Sequence, residues 1–152
     1  SGLENATIGG ADNLYAMGNG AANVLIGNAG ANKLYGYGGA DIIRGEGGAD
    51  KLAGGSNDDQ LFGGAGRDVI YANSGSDLLV GGADRDVLIG GHGADTFQFN
   101  RGDGVDWIKN FELGVDKIDI SDFDFASFAD VAAMRSELSN ALKYSGSSSR
   151  NK

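Results

Sequence analysis

Nine positions spaced nine residues apart hold Asn23, Asn32, Asp41, Asp50, Asp59, Asp68, Asp77, Asp86 and Asp95. Two places after each stands a large apolar residue: Leu25, Leu34, Ile43, Leu52, Leu61, Ile70, Leu79, Leu88 and Phe97. Glycine-rich runs precede most of them, as in Gly36-Tyr37-Gly38-Gly39-Ala40-Asp41 and Gly63-Gly64-Ala65-Gly66-Arg67-Asp68. Each unit therefore offers a carboxylate, a flexible turn and an apolar side chain. Carboxylates and turn carbonyls together are the donors of a hard cation. Calcium takes about six to eight oxygens at roughly 2.3–2.6 Å. One turn supplies too few, but two stacked turns supply two carboxylates and about four carbonyls. Magnesium holds its waters and avoids all-protein cages. Zinc and copper are poor matches for a chain with no Cys and one His. No EF-hand loop occurs.

A strict period sets the architecture that must position these groups. Number each unit so that its Asp or Asn is position 6. Positions 7 to 9 then predict a short strand, with position 8 pointing inward and its neighbours outward. Two units, 18 residues, predict one coil of an all-β solenoid, a parallel β-roll. The acidic column then splits into two files. Asn23, Asp41, Asp59, Asp77 and Asp95 line one edge; Asn32, Asp50, Asp68 and Asp86 line the other. The predicted sites pair Asp41 with Asp59, Asp59 with Asp77, Asp77 with Asp95, Asp50 with Asp68, and Asp68 with Asp86. Turn oxygens are expected around Gly36, Gly38, Gly39, Gly45, Gly47, Gly48, Gly54, Gly63, Gly66, Gly81, Gly90 and Gly93. Glycine at positions 1, 2 and 4 is expected to supply positive φ. Several ions, about five to seven, follow from this stacking. Asn23 and Asn32 lack the charge, so their sites are expected to be weak. Ala72-Asn73-Ser74-Gly75-Ser76-Asp77 lacks its first two glycines, and Asn57 and Asp84 stand at a glycine position.

The organisation reads as an N-terminal cap with degenerate coils over 1–26, the roll over 27–98, a C-terminal cap over 99–144 and a polar tail over 145–152. In the cap, glycine falls and aromatics rise. Alternation in Val105-Asp106-Trp107-Ile108 and Lys117-Ile118-Asp119-Ile120 predicts two or three closing strands. A helix is predicted over 127–142, with Ser127 and Asp130 as a capping pair and Val131, Met134, Leu138 and Leu142 on one face.

The formal charge is -9, from 12 Lys and Arg against 21 Asp and Glu. This disfavours nucleic acid and anionic membrane surfaces and favours cations. Glycine numbers 28 of 152 residues. Such a chain loses much backbone entropy on folding and buries little per residue, so a bound cation is expected to offset the cost. No apolar run is long enough to span a membrane, and no signal peptide is evident. Ser1-Gly2 reads as a cloning remnant, with the true N-terminus upstream.

The units resemble the RTX (repeats-in-toxin) nonapeptide G-G-x-G-x-D-x-U-x over residues 18–98. Phe97-Gln98-Phe99 and the stretch from Gly104 to Ser121 are similar to the flank that caps many RTX blocks. The resemblance implies a right-handed parallel β-roll that folds on meeting extracellular calcium. It further implies type I secretion from a Gram-negative bacterium, and attachment to a larger parent protein with its own catalytic or effector domain.

Other readings compete. The Asp column as solvated turns is outweighed by nine fixed positions with glycine before them. His92, in a turn, is expected to be exposed and not catalytic. Asp103, Asp106, Asp116, Asp119, Asp122 and Asp124 are expected to end strands, with one or two completing a terminal calcium site, rather than to form a glycosidase-like pair. Tyr35, Phe62 and Tyr71 at position 9 read as surface or under-cap aromatics. Val69, Tyr71, Val87 and Ile89 should share one outer face, partly covered by the C-terminal segment. An adhesion module contacting a glycan or a cell is the second hypothesis. An ice-binding face fails for want of a threonine file: position 7 holds Lys33, Ile42, Lys51, Gln60, Val69, Leu78, Val87 and Thr96. No nucleophile–base pair or phosphate loop supports an enzyme.

Overall fold

The computed structural model describes residues 5–7, 9–123 and 142–144. All regular structure in these residues is strand, and all pairing is parallel. One sheet contains β1 (Asn5–Thr7), β3 (Val24–Ile26), β5 (Ile42–Gly47), β7 (Gln60–Ala65), β9 (Leu78–Ala83), β11 (Thr96–Gln98) and β13 (Lys117–Asp119), in that order. The other contains β2 (Tyr15–Met17), β4 (Lys33–Gly38), β6 (Lys51–Ser56), β8 (Val69–Ser74), β10 (Val87–His92), β12 (Asp106–Lys109) and β14 (Leu142–Tyr144). Successive strands alternate between sheets, so the chain winds as a β-solenoid.

The register follows the period. Ile42 lies beside Gln60 and Gln60 beside Leu78; Lys51 lies beside Val69 and Val69 beside Val87. Position 8 points inward throughout: Leu25, Leu34, Ile43, Leu52, Leu61, Ile70, Leu79, Leu88 and Phe97 are fully buried, and Ile108 continues the file. Each contributes about 2 kcal/mol by leaving water. The core is these two inward files, one from each sheet, so the interior is a ladder rather than a globule.

The strands are longer than three residues. In the middle coils they run from position 7 through position 3 of the next unit. Lys33, Leu34 and Tyr35 pair with Lys51, Leu52 and Ala53; pairing skips Gly36 and resumes at Tyr37 and Gly38. Position 1 is thus a corner inside the strand. Outward side chains at position 9 pack on neighbours in the sheet. The Arg44 guanidinium lies 4.3 Å from the Phe62 ring centre, and Lys51 Nζ lies 5.3 Å from that of Tyr71.

Beyond residue 98 the same sheets continue. Trp107, Ile108 and Lys109 pair with Val87, Leu88 and Ile89, and Lys117, Ile118 and Asp119 pair with Thr96, Phe97 and Gln98. These are two closing strands of the expected kind. The helix predicted over 127–142 lies outside the described residues except at Leu142, which instead opens β14 beside β12. The tail over 145–152 also lies outside them.

Candidate metal centre

The acidic residues are not solvated. Asp41, Asp50, Asp59, Asp68, Asp77, Asp86 and Asp95 are each at most 2 % exposed. Each sits just before a strand, where the chain has turned from one sheet to the other. Its Oδ1 accepts a hydrogen bond from the position-6 N–H one coil earlier. Asp41 N–H donates to Asp59 Oδ1 at 2.7 Å, Asp59 N–H to Asp77 Oδ1 at 2.8 Å, and Asp77 N–H to Asp95 Oδ1 at 3.1 Å. On the other edge, Asp50 N–H donates to Asp68 Oδ1 and Asp68 N–H to Asp86 Oδ1, both at 2.8 Å. The expected pairs are therefore brought together, rung on rung.

The second oxygen of each has no such partner. The Oδ2 atoms of Asp41, Asp50, Asp59, Asp68, Asp77, Asp86 and Asp95 are buried and accept no hydrogen bond from the described residues, and Asp106 Oδ2 joins them. A buried carboxylate oxygen without a donor carries a large desolvation penalty. The penalty raises the carboxyl pKa throughout both files. Burial pushes Asp59 and Asp68 up to about 7 and Asp50, Asp77 and Asp86 to about 6, against the pull of the backbone N–H that each accepts. Neighbouring aspartates add to the rise, as Asp41 and Asp77 do at Asp59.

Glycine at position 1 makes room for these oxygens. A Cβ at Gly36, Gly45, Gly54, Gly63, Gly81 or Gly90 would meet the Oδ2 of the Asp five residues on. At Gly36 and Gly45 the same space is bounded by the carbonyl oxygen of Gly54 or Gly63 in the next coil. These glycines do not have positive φ, contrary to the expectation from the motif. Left-handed backbone falls instead at position 2, as at Gly64 and Gly91, and at position 4, as at Gly39, Gly48, Gly66 and Gly93. Tyr37, Glu46 and Asn73 hold it at position 2, and Asn57 and Asp84 at position 4. Gly38 and Gly47, at position 3, pair along the strands and have ordinary φ.

Free carboxylate oxygens and carbonyls thus face small glycine-walled spaces, with no donor supplied by the described residues. Among the described residues no three His, Cys, Asp or Glu side chains gather as a metal cluster. A cation here must draw on one or two carboxylates and on main-chain carbonyls. That is oxygen-only coordination, which suits calcium. The sequence matches the RTX calcium-binding nonapeptide repeat in four copies, over residues 17–52, 44–79, 53–88 and 71–106. The chain belongs to the RTX repeat family. No match is found among curated proteins.

The two N-terminal rungs of the RTX roll differ. Asn23 and Asn32 lie on their files, and each gives its N–H to the Asp one coil on. Their side chains, however, turn into their own turns. Asn23 Oδ1 accepts from Asn19 N–H and Asn32 Oδ1 from Asn28 N–H, both at 2.8 Å. Asn32 Nδ2 donates to Asn28 Oδ1 at 2.9 Å, and Asn23 Nδ2 to Asn19 Oδ1 at 3.3 Å. Asn at positions 2 and 6 together close an RTX turn with neutral amides. Sequence reasoning missed this clasp, although Gly18-Asn19 with Asn23 and Gly27-Asn28 with Asn32 repeat it in plain view.

Sequence reasoning also left open which aspartates beyond the repeats extend the files. The structure brings in Asp106 and Asp116, whose Oδ1 atoms accept the N–H of Asp86 and Asp95, each at 3.0 Å. The available signal was Gly104-Val105-Asp106 and Gly114-Val115-Asp116, which preserve positions 4 to 6 after loops of altered length. Asp103 and Asp122 do not join the files. Asp103 Oδ2 accepts from Asn100 N–H at 2.7 Å, and Asp122 Oδ2 from Arg101 N–H at 2.9 Å. His92 is exposed, as expected, but it closes β10 rather than lying in a turn.

Proposed function

We propose that this chain is a calcium-dependent folding module of a larger secreted protein. The observation that carries this reading is the double file of buried carboxylate oxygens without donors. The calcium-binding residues are Asp41, Asp50, Asp59, Asp68, Asp77, Asp86 and Asp95, with carbonyls of the glycine-rich turns between successive coils. Pairs of repeat aspartates would hold about five ions, and the mixed rungs Asn23–Asp41 and Asn32–Asp50 raise the number to about seven if they fill. Because the site exists only in the stacked form, calcium binding free energy becomes folding free energy. In a calcium-poor cytosol the carboxylates repel and the chain stays unfolded, which suits passage through a type I secretion channel. Outside the cell, calcium drives the roll to form and stabilises the parent's catalytic or effector domain.

Circular dichroism in EGTA, then in excess calcium, tests the switch. The expected result is a disordered spectrum that becomes β-rich with millimolar calcium, the range of extracellular calcium modules at about 10⁻⁴–10⁻³ M. A β-rich spectrum in EGTA, or equal action by magnesium, refutes it.

A surface-interaction reading draws on an exposed aromatic group near the N-terminal end. Tyr15 and Tyr37 are 61 % and 54 % exposed, and Tyr35 lies between them at ring-centre distances of 5.4 and 6.5 Å. Such a platform can stack on sugar rings. Glycan-array binding that is lost in Tyr15→Ala/Tyr37→Ala, with the calcium-induced fold intact, would favour it; no binding by the wild type rejects it.

A further inference from the structure

We propose that the turn over 99–106 builds an additional calcium site between Asp86 and Asp106, outside the nonapeptide series. The proposal rests on the calcium reading above and extends it to a cap whose sequence is not periodic. Asp106 follows Asp86 by 20 residues rather than 18. The geometry nevertheless repeats that of the roll. Asp106 Oδ1 accepts the Asp86 N–H at 3.0 Å, and Trp107 to Lys109 continue in register with Val87 to Ile89. A Cβ at Gly104 would meet the Asp84 carbonyl, just as one at Gly93 would meet the Gly75 carbonyl a coil away. Gly104-Val105-Asp106 therefore stands in place of positions 4 to 6 of a tenth turn, although Gly104 lacks the left-handed φ that position 4 holds from Gly39 to Gly93, and the two extra residues are absorbed before it.

Asp86 and Asp106 are both fully buried, and each keeps an Oδ2 without a donor. A carboxyl in the same turn, that of Asp103, adds its negative charge at both. All the acidic donors are oxygens, which points to calcium rather than to a softer metal. The other file ends differently. Asp116 Oδ1 accepts Asp95 N–H at 3.0 Å and its Oδ2 accepts Glu112 N–H at 2.7 Å. Both of its oxygens are bonded, so that file closes without demanding a cation there. One file thus ends on metal and the other on a backbone amide.

Trp107 adjoins Asp106 and is the sole tryptophan. Terbium(III), an oxygen-seeking stand-in for calcium, can be read through it, because energy transfer falls steeply with distance. The full chain is titrated with terbium under tryptophan-selective excitation, and calcium equivalents are counted by equilibrium dialysis. Tryptophan-sensitised emission is expected in the wild type. Asp106→Asn should lose most of it together with one calcium equivalent, while Asp116→Asn keeps both. Unchanged emission and stoichiometry in Asp106→Asn overturn the proposal and leave the repeat sites standing. If Asp106→Asn fails to fold, the wild type decides. A tryptophan-sensitised phase saturating with its own equivalent of terbium supports the site. Tyrosine-sensitised emission without a tryptophan-sensitised phase overturns it. Absence of both signals overturns this proposal and the calcium reading together.

Discussion

Asp68 faces two neighbours at once. Its Oδ1 takes the Asp50 N–H and its own N–H goes to Asp86 Oδ1, while its Oδ2 stays bare in a buried space. Asp68→Asn keeps the amide acceptor and removes the charge, so it separates the hydrogen-bonded ladder from the metal. Without calcium it should stabilise the roll near pH 7.5, because a buried charge disappears. With calcium it should weaken two adjacent sites, raise the folding midpoint and lower the slope of the titration. A wild-type midpoint and slope would mean that each turn binds its metal alone. Asn32→Ala should behave in the opposite way. It removes the acceptor for Asn28 N–H and leaves that donor unpaired, at a cost of about 1–3 kcal/mol. That loss should be equal with and without calcium, as measured by urea unfolding at saturating metal and by the unchanged slope of the calcium titration. The acidic files and the inward apolar file were legible because each is a fixed offset in a strict period. The Asn clasp was less so, since its meaning lies in two substitutions that act together at positions 2 and 6.

At the scale of the element, the turn glycines divide into two kinds. Position 1 is small so that a carboxylate oxygen fits; positions 2 and 4 carry left-handed backbone. The motif shows that glycine is needed but not why, since steric room and positive φ select the same residue. Strand length was hidden for a related reason. Glycines depress strand propensity, yet Gly64 and Gly55 sit within the strands because the parallel ladder satisfies their backbone. The two kinds of glycine predict different mutant behaviour. At Gly66, φ is +115° and a Cβ would strike the Gly48 carbonyl. Gly66→Ala therefore combines left-handed strain with a backbone clash, on the order of 2–4 kcal/mol. At Gly63 the backbone is unstrained, but a Cβ would meet Asp68 Oδ2. Gly63→Ala should act chiefly through the metal, raising the calcium midpoint more than it lowers stability at saturating calcium. Ala72, five residues before Asp77, is a natural instance of that change and is buried. Ala72→Gly should accordingly tighten calcium binding, seen as a lower midpoint in the same titration; an unchanged or higher midpoint would remove the steric role assigned to position 1.

For the whole molecule, the decisive fact is that its folded form holds carboxyls more acid-loving than its unfolded form does. Burial raises Asp59, Asp68 and Asp106 to about 7 and Asp50, Asp77 and Asp86 to about 6. Unfolded carboxyls titrate near about 3.9. Between these values the folded chain binds more protons, so metal-free stability falls as pH rises. The contribution is fully present below about pH 4 and is lost as pH passes through about 6 to 7. Protons and calcium then compete for the same oxygens while favouring the same fold. Two outcomes follow. In calcium-stripped buffer, lowering the pH from 8 toward about 5 should raise the β signal in circular dichroism, an effect opposite to ordinary acid unfolding. Over the same interval the calcium needed to occupy an already folded chain should rise, because each ion must displace protons, whereas the calcium needed to fold the chain should not. Nearest-neighbour coupling along the stack makes the transition steep rather than gradual. The net charge of -9 sharpens it further, since protonation removes the self-repulsion that opposes the compact form. A metal-free chain equally disordered at pH 5 and pH 8, in low salt, would show that the glycine-rich backbone cannot stack even when its carboxylates are neutral. Calcium would then have to act as a bridge between coils, not only as a remover of charge.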